Sequence, residues 1–128
     1  MISFDDFKPV DGRPIYLQIL EYIKRGAVAG AIKDGDELPS RRVLSALLGI
    51  NPNTVQKAFK TLEDEDLISS HAGAKSLMTL DEDKLASLRR ELLEETVREI
   101  TRKLREMGVS EEEALEMIKN AWDKEEQT

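Results

Sequence analysis

The amino-acid sequence predicts a mainly α-helical fold with one small β-hairpin. Three observations support this prediction: apolar residues recur at helical spacing in five segments, two short β-like runs flank a glycine near residue 73, and the composition becomes strongly charged after residue 80. A chain of 128 residues holds one modest core with an appendage. An elaborate enzyme with two lobes around a cleft is therefore not expected.

The first helix is predicted to begin near Pro14, because proline fits the first turn of a helix, where its missing N–H would be unpaired anyway. It ends at Gly30. Residues 1–12 precede it as an arm that we expect to pack through Phe4 and Phe7. The apolar residues of the predicted helix recur every four positions and are Ile15, Ile19, Ile23 and Ala27.

Two short amphipathic helices with a tight connection follow. Ser40 is a candidate N-cap for the first, which runs through Leu48 and ends at Gly49. Asn51 followed by Pro52 starts the second. The side chains predicted to face the core are Val43, Leu44, Leu47 and Leu48 on the first helix and Val55, Ala58, Phe59 and Leu62 on the second. The pattern is typical of a helix-turn-helix.

The charge of this segment differs from that of the whole chain, whose formal net charge is -7. Residues 38–62 contain four Lys or Arg residues and no Asp or Glu, whereas the excess of acid lies in residues 81–128, with fifteen Asp or Glu against nine Lys or Arg. Salt screens charges beyond a Debye length of roughly 8 Å, so a bound duplex interacts mainly with the charges close to it and not with the net charge of the chain. A helix-turn-helix with a cationic, acid-free surface indicates double-stranded DNA as its partner.

Two β-like runs, Leu67 to Ser70 and Ser76 to Leu80, are interpreted as a hairpin wing. Residues 13–80 then form a winged helix-turn-helix domain, and residues 81–128 a two-helix region for dimerisation or effector binding. Asp81 to Asp83 are interpreted as an acidic hinge between them. Our hypothesis is that a signal changes the angle between two winged heads through this hinge.

The tail is predicted to contain one long helix over residues 82–107, ended by Gly108, and a second helix that begins with a capping box formed by Ser110 and Glu113. Two helices cannot bury both of their apolar stripes alone, so we expect a homodimer. The predicted dimer interface contains Leu88, Leu92, Val97, Ile100, Leu104, Leu115, Ile118 and Trp122.

The composition excludes several classes of site. The absence of cysteine removes disulfides and thiolate metal sites, and one histidine cannot build a multi-histidine centre. No nucleophile-base pair or phosphate loop is recognisable, so we expect no enzyme, no catalytic residue, no metal and no cofactor. No apolar run approaches about 18 residues, and no signal peptide is evident. We expect a soluble, cytoplasmic protein without a membrane partner.

The segments 35–45, 48–55 and 62–68 read GDELPSRRVLS, LGINPNTV and LEDEDLI. At these spacings they resemble the N-terminal domain of the GntR family of bacterial transcriptional regulators, and the short tail resembles the YtrA subfamily. The resemblance implies a homodimeric, usually repressive regulator that binds a two-fold-related, palindromic operator, often at a transporter operon. Larger relatives carry a ligand domain. A small-molecule effector is therefore possible here, although the tail leaves little room for a pocket.

The predicted DNA-binding residues combine this resemblance with side-chain chemistry. Asn53, Thr54 and Gln56 would read base edges. The others would hold phosphates or, as the resemblance implies, lie at the DNA: Ser40, Arg41, Arg42, Asn51, Lys57, Lys60, Gly73 and Lys75. The family commonly has an acid where Arg41 stands and a glycine where Asp66 stands, and its wing sequence differs from residues 71–78.

Simpler interpretations remain for several of these residues. Asn51 is expected at any helix start as a cap, Lys57 and Lys60 are compatible with ordinary solvated surface, and His71 is compatible with a turn. Two cations at residues 41 and 42, beside the positive end of a helix dipole, favour a nearby anion. The alternative function is a winged-helix adaptor that binds protein, for which an apolar, uncharged recognition face is expected.

Overall fold

The computed structural model describes residues 1–70 and 75–126. In those residues it contains five helices and three strands, which in chain order are Ile15–Val28 (α1), Glu37–Leu38 (β1), Arg41–Leu48 (α2), Pro52–Asp64 (α3), Ile68–Ser70 (β2), Ser76–Met78 (β3), Glu82–Glu106 (α4) and Glu111–Glu126 (α5). The predicted helical fold with a small hairpin is confirmed. The predictions for His71 and Gly73 lie outside the described residues.

The strands form one antiparallel sheet in the order β1-β3-β2. Ser70 pairs with Ser76 in the hairpin, and Glu37 pairs with Leu77 on the other side of β3. The sequence analysis did not predict β1, because two residues are too few to show an alternating pattern. This strand joins the chain before α2 to the base of the wing.

The chain divides into two compact units, Met1–Arg89 and Arg90–Thr128. The core of the first unit is formed where α1 and α2 pack against α3. Its largest fully buried side chains belong to the helices and to the last strand, and they are Phe59, Ile19, Ile23, Leu44, Leu62, Met78 and Val55. The predicted core positions of α3 are confirmed, as are Ile19, Ile23 and Ala27 of α1, whereas Ile15 in the first turn of α1 is half-buried.

The prediction for α2 was wrong at two residues. Val43 and Leu47 are 50% and 61% exposed, whereas Leu44 is fully buried. The side chain next to Leu44 that is buried is Ser45, whose Oγ donates to the carbonyl oxygen of Ile50 at 2.6 Å. Val43 and Leu47 lie four residues apart and share an exposed face of α2, whereas Leu44 and Ser45 lie on the face that packs inward.

The N-terminal arm packs on α1 through its aromatic residues, as the sequence suggested. The ring of Phe4 stacks on that of Tyr22 with centroids 5.1 Å apart, and the ring of Phe7 meets Tyr22 edge-on at 5.4 Å. The arm also adds a main-chain hydrogen bond of 2.7 Å from Ile2 N–H to the carbonyl oxygen of Glu37. Residues 1–12 are thus part of the first unit.

An open cavity with a volume of about 810 Å³ lies between this arm and α1. An ion pair between Arg13 and Glu21 lies along it. The hydrogen bond from Arg13 is the main cause that lowers the pKa of Glu21, against a smaller opposing effect of burial. The six charged side chains of the lining balance, since Lys8, Arg13 and Arg25 face Asp6, Glu21 and Asp36. The cavity therefore carries no net charge that selects an anion or a cation.

The segment Asp81 to Asp83, predicted to be a hinge, forms the start of α4 in the structure. The Asp81 carboxylate caps α4 by accepting the N–H of Lys84 at 2.7 Å, and the helix begins at Glu82. The preceding residue is fixed as well, because Leu80 N–H donates to the Asp34 carboxylate at 2.8 Å. The acidic residues in this segment stabilise the start of α4, because carboxylates interact favourably with the positive end of a helix dipole.

The second unit consists of the remainder of α4 and of α5. Ser110 accepts the N–H of Glu113 at 3.2 Å, which is the first half of the predicted capping box. No residue between 90 and 125 is buried, and Trp122 is 68% exposed. Leu88 differs from the other residues of the predicted dimer stripe: its side chain is buried within the chain itself, so it belongs to the core of the first unit.

Across the described residues, no helix is both long enough and apolar enough to cross a membrane.

Candidate nucleic-acid interface

Helix α3 has one buried face and one polar face. Asn51 caps its start by accepting the N–H of Asn53 at 2.8 Å, and Pro52 occupies the first turn. The buried face holds Val55, Ala58, Phe59 and Leu62. Because the helix has 3.6 residues per turn, the opposite face holds a different set. Its exposed members are Asn53, Gln56, Lys57 and Lys60, with Asp64 at its C-terminal end.

Three side chains of α3 offer hydrogen-bonding groups to an external partner. Asn53 and Gln56 are exposed and Thr54 is half-buried. Within residues 1–70 and 75–126, none of the three side chains takes part in a hydrogen bond. Asn and Gln amides can pair with adenine in the major groove, and the threonine methyl can contact thymine. By contrast, the side-chain oxygen Oδ1 of Asn51 already accepts the capping hydrogen bond from Asn53 N–H.

The predicted cations differ in how freely they face solvent. Arg42 and Lys75 are exposed, and neither has an ion-pair partner among the described residues. The Lys57 ammonium lies 4.0 Å from the centroid of the Tyr16 ring, a cation–π contact with α1. Lys60 lies 3.6 Å from the Asp64 carboxylate one turn along α3. Both lysines remain on the exposed face.

Arg41 is the predicted phosphate ligand whose surroundings differ most from expectation. Its guanidinium donates through Nη2 to Oε1 of Glu63 at 2.9 Å and lies 5.1 Å from the centroid of the Phe59 ring. Glu63 therefore supplies from within the chain an anion for Arg41, one of the two cations at the start of α2, and Arg42 stays open to an external anion. Sequence reasoning missed Glu63, because a partner 22 residues away leaves no periodic or local signal.

The starts of α2 and α3 carry no acidic residue in the first turn, whereas α4 and α5 carry two and three. Acidic residues at a helix start neutralise its partial positive charge. Ser40 caps α2 by accepting the N–H of Val43 at 3.1 Å, so this start is structurally complete but not neutralised by charge. Both short helices thus keep a positive end that an anion such as phosphate can approach.

The wing is attached to α3 by a hydrogen bond. Ser70, the last residue of β2, donates its hydroxyl to Oε1 of Glu63 at 2.7 Å. Its hydroxyl also lies 3.2 Å from that of Ser76, the first residue of β3. The base of the wing is therefore held at the C-terminal half of α3. Lys75 precedes Ser76 directly, and Gly73 lies outside the described part of the chain.

Comparison with known proteins identifies the domain that this interface belongs to. The model of the bacterial regulatory proteins of the gntR family matches residues 15–77. The chain is 38% identical over 98 residues to the HTH-type transcriptional repressor YtrA of Bacillus subtilis, which covers 72% of this chain and 73% of YtrA. It is 30% identical over 107 residues to the HTH-type transcriptional regulator YhcF of Bacillus subtilis, covering 84% of this chain and 88% of YhcF.

A solved structure agrees with these relatives. A GntR family transcriptional regulator from Listeria monocytogenes superposes with a TM-score of 0.77 at 28% identity, covering 88% of this chain and 98% of that one. The similarity thus extends beyond the helix-turn-helix into the tail. The protein belongs to the GntR family of DNA-binding transcriptional regulators, which are not enzymes, and YtrA is among its relatives.

Proposed function

We propose that this protein is a repressor that binds a palindromic operator as a homodimer and reads it with the exposed face of α3. The observation that carries the proposal is the composition of that face, where the side-chain amides of Asn53 and Gln56 have no hydrogen-bond partner among the described residues and Lys57 and Lys60 are exposed. An adaptor that binds protein would need an apolar recognition face, and α3 offers none among its exposed residues. The exposed residues of α3 therefore favour DNA over a protein partner.

In the proposed complex, α3 enters the major groove with its N-terminal end. Asn53, Thr54 and Gln56 contact base edges. Arg42 and the backbone N–H groups at the starts of α2 and α3 hold phosphates. Further phosphate contacts come from Ser40, Lys57, Lys60 and Lys75, and Asn51 contributes through the part of its amide that the capping bond leaves free.

The second copy is proposed because the second unit cannot bury its apolar surface alone. Its residues between 90 and 125 include no buried side chain, although eight large apolar side chains are exposed there. Apolar surface of this extent on a small unit favours association. The proposed dimer interface contains Leu92, Val97, Ile100 and Leu104 of α4 and Leu115, Ile118 and Trp122 of α5.

The name of one relative supports the proposed sign of regulation. YtrA of Bacillus subtilis is named a repressor, and we extend this role to the present chain. Control of a transporter operon follows from the resemblance to the YtrA subfamily. A dimer bound across a promoter would block polymerase by occupying the same duplex, so no further chemistry is required of the protein.

Selection from a pool of random duplexes tests the proposal without knowledge of the operator. We expect the selected sequences to contain two inverted half-sites whose centres lie about 10 base pairs apart or a multiple of that spacing, because a two-fold dimer presents two α3 helices. A reporter with the selected site across its promoter should lose transcription when the protein is present. Selection of a single half-site, or of nothing, would contradict the proposal.

A further inference from the structure

Two side chains donate to the carboxylate of Glu63, and a third polar side chain lies beside one of the donors. Oε1 of Glu63 on α3 accepts from Arg41 of α2 at 2.9 Å and from the hydroxyl of Ser70 at the end of β2 at 2.7 Å. The Ser70 hydroxyl lies 3.2 Å from that of Ser76, which begins β3. We refer to Arg41, Glu63, Ser70 and Ser76 as the Glu63 cluster.

The Glu63 cluster is better shielded from water than the neighbouring ion pair on α3. The side chains of Arg41 and Glu63 are each 36% exposed, whereas those of Lys60 and Asp64 are 68% and 66% exposed. Nε of Arg41 is buried and has no acceptor among the described residues, and the guanidinium lies 5.1 Å from the Phe59 ring centroid. Partly buried, charge-assisted hydrogen bonds are stronger and less screened than exposed pairs.

We propose that Glu63 is a positioning residue for DNA binding, which fixes the base of the wing against α3. The two strands of the wing have three residues each, and a hairpin this short needs outside contacts to keep one position. The cluster supplies them where the wing leaves the sheet. Glu63 thereby controls affinity for a duplex that it does not touch.

The direction in which DNA affinity changes when Glu63 is substituted distinguishes this positioning role from a simple effect of charge. A carboxylate near the proposed DNA surface repels phosphate, so removing its charge should by Coulomb's law alone strengthen binding. If Glu63 positions the wing, its loss should weaken binding instead. If Glu63 merely sequesters Arg41, its loss should release a cation to phosphate and make binding both tighter and more dependent on salt.

The experiment compares Glu63→Gln with Asp64→Asn in the full chain, on a duplex that the wild-type protein selects from a random pool. Both variants remove one negative charge from adjacent positions of α3. We expect Asp64→Asn to bind as tightly as wild type or tighter. We expect Glu63→Gln to bind roughly tenfold more weakly, in line with loss of hydrogen bonds to a charged group. Its dependence on salt should stay unchanged.

Three further variants keep the test decisive if Glu63→Gln folds poorly. Ser70→Ala removes the hydroxyl without a change of charge and should weaken binding in the same direction. Arg41→Gln should leave the log-log salt slope unchanged, whereas a lost phosphate contact would reduce it by about 0.9 for each copy. The exchange variant Arg41→Glu/Glu63→Arg should recover part of the affinity, because it restores the pair.

Amide hydrogen exchange provides a readout that needs no DNA. The amides of Ser76–Met78 should exchange faster in Glu63→Gln and in Ser70→Ala than in Asp64→Asn. The proposal rests on the proposed function for its affinity readouts, and failure of the wild-type protein to select any duplex would refute that function alone. Tighter binding by Glu63→Gln, or unchanged exchange at 76–78, would overturn the role of Glu63.

Discussion

Lys84 donates through its ammonium to the carbonyl oxygen of Asp66 at 2.6 Å. The hydroxyl of Thr79 donates to the same oxygen at 3.0 Å, so one carbonyl in the turn after α3 joins that turn to β3 and to the start of α4. Asp66 has φ +58°, and it is the one residue other than glycine with a positive φ in the described chain. The contacts hold a backbone conformation that L-residues adopt at a cost.

Asp66→Gly should therefore stabilise the protein. The left-handed conformation costs a non-glycine residue roughly 1–2 kcal/mol, and the flexibility of glycine in the unfolded chain offsets about half of the gain. We expect the free energy of unfolding in urea to rise by about 0.5 kcal/mol. Asp66→Ala keeps the strain and removes the carboxylate, so it should not be stabilised. A less stable glycine variant would show that the Asp66 side chain itself contributes.

Truncation of two leucines on α2 should have very different costs. Leu44 is fully buried and Leu47 is 61% exposed. We expect Leu44→Ala to lower the free energy of unfolding by about 2–5 kcal/mol through lost burial and a residual cavity. Leu47→Ala, the matched control on the same helix, should change it by less than about 0.5 kcal/mol. Equal costs in chemical denaturation would mean that Leu47 is covered in solution.

The Arg13–Glu21 ion pair should make stability depend on acid pH. The pKa of Glu21 is lowered in the folded state, chiefly by the hydrogen bond from Arg13, from its ordinary value of 4.5. A lowered carboxyl pKa contributes stability above the unfolded pKa and loses it as pH falls through the folded pKa. The stability difference between wild type and Arg13→Gln should therefore be full near pH 7 and shrink as the pH falls below 4.5.

Thermal or urea unfolding of both proteins between neutral and acid pH measures this effect. Glu21→Gln is the control, because without the carboxyl group the Arg13 substitution should cost less at neutral pH. A difference between wild type and Arg13→Gln that stays constant across the acid range would assign the stabilisation to packing of the Arg13 side chain instead.

Substitution of Arg42 should change the salt dependence of DNA binding. Arg42 is exposed at the start of α2 and has no ion-pair partner in residues 1–70 or 75–126. If it holds a phosphate, Arg42→Gln should reduce the log-log salt slope by about 0.9 for each copy. Lys33→Gln removes the same charge from an exposed position outside α2 and α3 and should leave the slope near that of wild type. DNA-binding titrations of both variants at several salt concentrations measure the two slopes.

The base-reading role of Gln56 gives a different signature. Gln56→Ala should reduce discrimination between the selected duplex and a duplex altered at one half-site position, by about 1–3 kcal/mol, without a change in the salt slope. Competition binding with single-base variants measures this loss. Equal discrimination by the variant at every position would remove Gln56 from the proposed reading face.

The assembly state depends on the apolar stripe of α5. Ile118 and Asn120 are both exposed but lie on opposite sides of this helix. Ile118→Lys should convert the proposed dimer to a monomer at micromolar concentration, because a buried unpaired ammonium is costly. Asn120→Lys adds the same charge away from the stripe and should remain dimeric. Sedimentation of both variants and of the wild type decides this, and a wild-type monomer would refute the dimer.

The limits of α2, α3 and α5 could be predicted because they depend on local chemistry. Ser40, Asn51 and Ser110 accept N–H groups within three residues, and Gly49 adopts the left-handed conformation that ends α2. The buried face of α3 follows from its period in the same way. These features need only neighbouring residues, so the sequence by itself determined them, together with the fold class and the polar face of α3.

Only the tertiary structure decided which of several similar residues perform which role. The burial of Leu44 rather than Leu47 depends on the side of α2 that meets its neighbours. The pairing of Arg41 with Glu63 joins residues 22 apart, and the carbonyl of Asp66 is bound by Lys84 from 18 residues away. Such contacts depend on how elements cross in space, which periodicity and local capping do not encode.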